Sequence, residues 1–161
     1  MQSVLDRLSR RDAFSQDRES YLGKLANLFV TADVDVRFDS MQAPADCREA
    51  DDGKFIVRID RTEFDQMCSD QNTFKSEAIP NSLKGVSNGY IDAFLQEGLL
   101  YHELGHVLFS DFDALNDVTN RVPMSERDVL QSLINVYEDA VIEIFLRQMY
   151  DCGEQLLIKN Q

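Results

Sequence analysis

Cysteine, histidine and basic residues are all scarce in this sequence, and each scarcity narrows what the chain can be. The three cysteines, Cys47, Cys68 and Cys152, are odd in number and far apart, with no Cys-x-x-Cys pair. They read as free thiols of a reducing compartment and argue against a disulfide framework. Lys and Arg total 16 against 29 acids, a formal charge of −13. A phosphate backbone or an anionic membrane would be repelled by that balance, so neither nucleic acid nor membrane is an expected partner. Nowhere is there the run of about 18 apolar residues that a spanning helix needs. The opening Met-Gln-Ser-Val-Leu-Asp-Arg lacks the apolar stretch of a secretory leader, so the expected location is the cytoplasm. There is no internal repeat, and 161 residues suit a single domain spanning 1–161.

Periodicity assigns the elements. Helical spacing of Val4, Leu5, Leu8 and then Tyr21, Leu22, Leu25, Leu28 and Phe29 predicts a helix over 1–31, with the charged stretch 9–19 as a break or exposed turn. Val34, Val36 and Phe38 alternate with Asp33, Asp35 and Arg37, and Phe55, Val57 and Ile59 alternate likewise, which predicts two half-buried strands. Residues 39–53 read as loop closed by the turn Asp51-Asp52-Gly53. The two strands suggest a small antiparallel sheet, although that turn could serve a different pairing. Residues 60–86 read as connection with a short helix around Phe64 and Met67. A long apolar helix follows from Asn88 to about Phe109, with Asn88 as its cap and Asp92 near its positive end. Residues 110–123 read as a polar connection. Ser125, answered by Asp128, caps a final helix over about 126–149 that is apolar nearly all round and is expected to be central. The fold class expected is α+β, mostly helical.

Both histidines of the chain fall in one motif, His102-Glu103-Leu104-Gly105-His106. Residues four apart stand on one helix face, one turn above the other, so two imidazoles can close on one zinc ion. Glu103 projects beside the pair, where it can act as base toward a water. Gly105 lowers helix stability by up to about 1 kcal/mol relative to Ala, and its presence there predicts close approach of another backbone.

Catalytic zinc usually takes three protein ligands and keeps one position open. No third histidine exists, and the extension His-x-x-Gly-x-x-His fails, with Phe109 and Phe112 at the key positions. Asp111 and Asp113 lie just past the helix end and could fold back. A better source is the acid knot Asn135-Val136-Tyr137-Glu138-Asp139-Ala140-Val141-Ile142-Glu143 inside an otherwise apolar helix, since a buried carboxylate is costly unless it pairs or binds metal. With the apolar face centred on Leu130, Tyr137, Val141 and Ile144, Glu138 lies at its edge and is the expected third ligand, with Asp139 in reserve. Asn135 could hydrogen-bond Glu138 or a ligand histidine. Asp139, Asp111 or Glu143 could hold the outer nitrogen of a ligand histidine. Tyr101, Tyr137 and Arg147 are the candidates for an oxyanion donor, Tyr137 first because it precedes Glu138.

The run His102-Glu-Leu-Gly-His106-Val-Leu-Phe-Ser110-Asp111, followed by Asn135-x-x-Glu138-Asp139-x-x-Ile142-Glu143, resembles the zinc metallopeptidase domain that precedes von Willebrand A-like domains in bacterial, archaeal and phage proteins. The resemblance covers about 88–145, within the motif-bearing core 88–149, and is looser over 21–60. Val141 departs from it, standing where that group usually has Arg. It implies a zincin-like fold and a gluzincin-like site: His102, His106 and Glu138 as ligands, Glu103 as base, and a protein or peptide substrate. The usual partner domain is absent from these residues, which implies a free-standing version or a part that works with an adjoining domain or partner protein. The function expected is zinc-dependent peptide-bond hydrolysis. The rival is a structural or regulatory zinc-binding domain without protease activity, in which a further protein ligand such as Cys47 or Asp111 closes the site.

Overall fold

The computed structural model describes residues 4–41, 43–60 and 88–150, with side chains described from 17 onward in the first segment and from 93 onward in the last. Their order is α1 (Val4–Phe29), β1 (Val34–Asp39), β2 (Ala45–Glu49), β3 (Phe55–Asp60), α2 (Asn88–Phe109), α3 (Phe112–Asn120) and α4 (Met124–Met149). This is an α+β arrangement. No described helix is long and apolar enough to cross a membrane. The short helix expected around Phe64 and Met67, the remainder of 61–87 and the tail after 150 lie outside the described residues, as do the side chains of Asn88 and Asp92.

Helix α1 runs through 9–19 without the expected break. No glycine or proline precedes Gly23, and Arg, Glu and Gln are good helix formers, so charge alone does not interrupt the ladder. Its inner face, Leu22 and Ala26, is fully buried. Arg18 ties α1 to α2, donating from Nε to Gln96 Oε1 at 2.9 Å and from Nη2 to the Ala93 carbonyl at 2.6 Å.

The sheet is mixed, in the order β1-β3-β2. Strands β1 and β3 pair in parallel, Val34 opposite Phe55 through Asp39 opposite Asp60. The antiparallel pairing expected of these two strands is therefore corrected. Alternation of apolar residues is the same for either orientation, so it could not distinguish them. The return strand is β2, which runs antiparallel to β3 with Cys47 opposite Val57. It had read as loop, because Ala-Asp-Cys-Arg-Glu has few strand-favouring residues. The Asp51-Asp52-Gly53 turn joins β2 to β3. The Gly53 N–H donates to the Ala50 carbonyl at 2.9 Å, and Gly53 sits at φ 78°, a conformation glycine adopts without penalty.

One face of the sheet meets the helices. Val34, Val36, Val57 and Ile59 pack with Leu22, Ala26, Leu95, Leu99, Leu100 and Leu104 in one core cluster. Each fully buried side chain of this kind contributes about 1.5–3 kcal/mol relative to exposure. The far edge of β1 is capped from α1. The Asn27 amide donates to the Val34 carbonyl at 3.1 Å and accepts from the Val34 N–H at 3.3 Å, and Glu19 Oε1 accepts from the Phe38 N–H at 2.7 Å. Strand β2 is thus the edge that no described element covers.

Two further expectations change in the C-terminal half. Residues 112–120 are helical, not connection, because Asp111 Oδ1 accepts from the Ala114 N–H at 2.9 Å and caps the turn. Helix α4 begins at Met124 after Pro123, with no side-chain cap, so Ser125 is not its cap. Nor is α4 central. Only Ile142 and Leu146 are buried on it, while Val129, Leu133, Val136, Tyr137 and Ile144 are more than half exposed. The helix turns its acid stripe, not its widest apolar face, toward α2.

Candidate metal centre

Two helices cross closely enough to build the site between them. At Gly105 of α2, an added Cβ would overlap the Cγ2 methyl of Ile142 and come 3.0 Å from Leu146 Cδ1, both on α4. The glycine is therefore needed for contact, but the close neighbours are side chains of α4 and not the second backbone expected from its mid-helix position. Ile142 and Leu146 lie one turn apart, and Gly105 lies between His102 and His106. The same crossing brings both imidazoles against the α4 residues one turn before Ile142 and Leu146.

His102 and His106 stand with ring centroids 5.2 Å apart and planes nearly perpendicular. Their Nε2 atoms converge on one oxygen, Asp139 Oδ1, at 3.4 and 3.2 Å respectively. Ligand atoms of His102, His106 and Asp139 all lie within 4.8 Å of one another, a group that could hold a metal ion. The opposite nitrogens face other partners. His106 Nδ1 is 3.0 Å from Ser110 Oγ, and His102 Nδ1 is 3.5 Å from Glu143 Oε1. The contact with Ser110 sets the His106 ring and leaves its Nε2 to point inward.

The acid knot is divided by this geometry. Asp139, held in reserve from sequence, is the carboxylate that meets both Nε2 atoms. Glu138, the expected third ligand, lies in the same cleft with Oε2 3.8 Å from His106 Nδ1, the nitrogen on the Ser110 side. Glu143 takes the outer position beside His102 and also receives a hydrogen bond from Arg147 Nη2 at 3.2 Å. Asn135 lines the cleft, but its Oδ1 accepts from Gln131 Nε2 at 2.8 Å, not from a ligand histidine. Asp111 is spent on the α3 cap, and Asp113 is exposed in the first turn of that helix. Tyr137 is 74% exposed and lies on an outer face of α4, away from the cleft. One residue along a helix is a rotation of about 100°, so a neighbour of Glu138 need not share its direction. Tyr101 packs on Phe29, with centroids 5.1 Å apart, and Arg147 pairs with Glu143, so the three oxyanion candidates find other places.

Electrostatics bind the three groups together. Burial opposes ionisation of Asp139, but hydrogen bonds and charge from His102 and His106 outweigh it and hold the carboxyl well below the usual carboxylate range. Burial, with Glu103 and Asp46 nearby, pushes the Cys47 thiol up to about 12. That keeps Cys47 protonated, which is the opposite of what a thiolate ligand requires.

The cleft has a volume of about 440 Å³. Its floor carries His102, Glu103 and His106 of α2. One wall is Asp139, Glu138 and Asn135 of α4, and the other is Pro44, Ala45, Asp46 and Cys47 at the start of β2. Glu103 is only 6% exposed, buried where a residue of a surface stripe would not be. Two participants escaped sequence reading. Ser110 carries a signal, because it lies four residues after His106 on the same helical face. The β2 wall apart from Cys47 carries none, since its strand was itself unread. Comparison with protein-family models, with curated proteins and with solved structures found no match to this chain.

Proposed function

We propose that this chain is a zinc-dependent peptidase of zincin-like fold, with His102, His106 and Asp139 as the ligands. The observation that carries the proposal is the convergence of both Nε2 atoms on Asp139 Oδ1 at 3.4 and 3.2 Å. Donors about 2.0–2.1 Å from a tetrahedral ion stand about 3.3 Å apart, so these separations fit one. Two imidazoles and a carboxylate are also a donor set that suits zinc, and three protein ligands leave a position for chemistry. Glu138 is a further carboxylate within the cleft, and the implied gluzincin form would need it to replace or join Asp139.

When bound, zinc would acidify a water and polarise the scissile carbonyl. Glu103 is the base of the motif. It would take the proton from the attacking water and return it to the leaving amine. Ser110 holds the outer nitrogen of His106, and Glu143 stands 3.5 Å from that of His102. Burial of His102 and Glu103 excludes bulk water from one side of the site.

Strand β2 supports a peptide as the substrate class. Hydrogen bonds from the Asp60 N–H to the Pro44 carbonyl and from the Ala50 N–H to the Lys54 carbonyl mark the paired positions of the β2–β3 ladder. Those positions alternate along an antiparallel strand. Ala45, Cys47 and Glu49 therefore direct their N–H and C=O groups to the open edge beside the cleft. An extended peptide could add there as a further strand, through main-chain bonds that demand little side-chain specificity.

The test has two parts. Protein purified without added metal should carry one zinc per chain, and His106→Ala almost none. Zinc-loaded protein should cleave an unfolded protein, and Glu103→Gln should keep the zinc but lose the cleavage. Zinc that depends on His106, without hydrolysis that depends on Glu103, would refute the peptidase and leave a structural or regulatory metal domain.

A further inference from the structure

The outward face of α4 bears an apolar stripe that the other described residues leave largely exposed. Val129, Leu133, Val136, Tyr137 and Ile144 are 64%, 64%, 71%, 74% and 56% exposed. With the exposed Ala140 they fall at steps of three and four, which aligns them along one side of the helix. From Val129 to Ile144 the stripe is about 22 Å long at 1.5 Å per residue. A contiguous apolar stripe of this length on a soluble surface marks an interaction site.

We propose that a second copy of this chain covers it, with α4 packed antiparallel on α4 about a two-fold axis between Val136 and Tyr137. The stripe is complementary to itself in that register and in no parallel one. Val136 faces the partner's Tyr137, Leu133 faces the partner's Ala140, and Val129 faces the partner's Ile144. A large side chain thus meets a small one beside the axis, where interdigitation at a helix separation of 8–10 Å requires it. Beyond the apolar pairs, Glu126 comes opposite the partner's Arg147, both exposed, where the guanidinium that also bonds Glu143 of its own helix can take a second carboxylate. A parallel pair would instead set Glu126 against Glu126 and Arg147 against Arg147. Antiparallel helices also oppose their macrodipoles favourably. The interface is isologous, the form closed dimers take. At −13 a chain repels its copy almost everywhere, and this stripe with one Glu and one Arg is a neutral strip on which two copies can meet.

Sedimentation equilibrium of the full chain, from about 1 to 200 µM, tests this, since that range spans the affinities of modest interfaces. The expected result is an equilibrium reaching twice the 18.4 kDa chain mass. Leu133→Glu should leave only monomer, with helicity checked by circular dichroism. Glu126→Arg and Arg147→Glu should each weaken the dimer about tenfold, and the double variant should restore it, because like charges then become opposite again. Monomer throughout the range, a dimer indifferent to Leu133→Glu, or charge reversals whose effects simply add would each overturn the proposal.

Discussion

Replacing Gly105 by Ala tests the helix crossing on which the whole site depends. In an ordinary helix interior this change stabilises, since Ala exceeds Gly in helix propensity by about 1 kcal/mol. Here the new methyl has no room. It overlaps the Ile142 Cγ2 methyl and stands 3.0 Å from Leu146 Cδ1. Both neighbours are almost wholly buried, and Ile142 branches at Cβ, so it cannot swing its methyl aside as a longer chain could. Overpacking of this kind costs about 1–3 kcal/mol, which outweighs the propensity gain. The net loss is about 0–2 kcal/mol, or a fall in Tm of up to about 8 °C for a chain of this size. The effect on metal should be larger than the effect on stability. Relief comes by parting α2 from α4, and the same movement draws Asp139 away from both imidazoles. A loss of about 10–100-fold in zinc affinity is expected, comparable to removing an outer partner of a metal ligand. Gly23→Ala supplies the control, because it too lies within a helix but a Cβ there meets nothing within 4 Å. That variant should melt higher by a few degrees and bind zinc unchanged. Thermal melts and competitive zinc titration read both quantities. If Gly105→Ala melted as high as Gly23→Ala and bound zinc like the parent, the close crossing would be refuted.

Asp139→Asn and Glu138→Gln separate the two neighbouring acids: zinc affinity should fall at least about 100-fold in the first and no more than about tenfold in the second, as for a ligand against an outer group. The reverse order, read by the same titration, would return the third-ligand role to Glu138. Cys47 gives a pH dependence of definite sign. Its pKa is about 12 in the fold against an ordinary 9.0 for the thiol, so the unfolded chain loses this proton first and stability falls as pH rises from 9 toward 12. At pH 10.5 the difference amounts to about 2 kcal/mol, at 1.36 kcal/mol per unit. Urea midpoints at pH 8 and 10.5 should therefore diverge more in the parent than in Cys47→Ala, and equal divergence would show that the thiol is not held protonated by the fold.

Much of the fold was legible because periodicity reports which side of an element meets the core. The helix from Asn88 to about Phe109 was read from apolar spacing and a candidate cap, and β1 and β3 were read from alternation to within three residues at either end. What failed was information that periodicity does not carry. Alternation in Val34–Phe38 and Phe55–Ile59 shows a buried face but not the direction of the neighbour. That direction was decided by β2, whose inward residues Ala45 and Cys47 are too small to leave an apolar signature. Helix α3 hid for a related reason. Its nine residues bury no side chain, and its stability leans on a cap that resembles any loop aspartate until the Ala114 N–H is seen beside it.

The site divides along the same line. His102, Glu103, His106 and the need for glycine at 105 follow from positions within one helix, where 3.6 residues per turn fixes what can meet. Which acid faces the two histidines depends on the rotation of a second helix, and sequence sets that phase only if the apolar face is the buried one. On α4 it is not. The stripe that meets α2 is Asn135, Glu138, Asp139, Ile142 and Leu146, while Tyr137 and Ile144 look outward. Centring the wheel on the apolar side chains rotated the helix away from its true contact and favoured Glu138 over Asp139. A helix whose acids face the neighbouring helix and whose apolar stripe is exposed has two uses for its surface. The error in phase and the exposed face at Val129–Ile144 therefore have a single cause: α4 turns its acids to the histidines and leaves its apolar stripe exposed among the described residues.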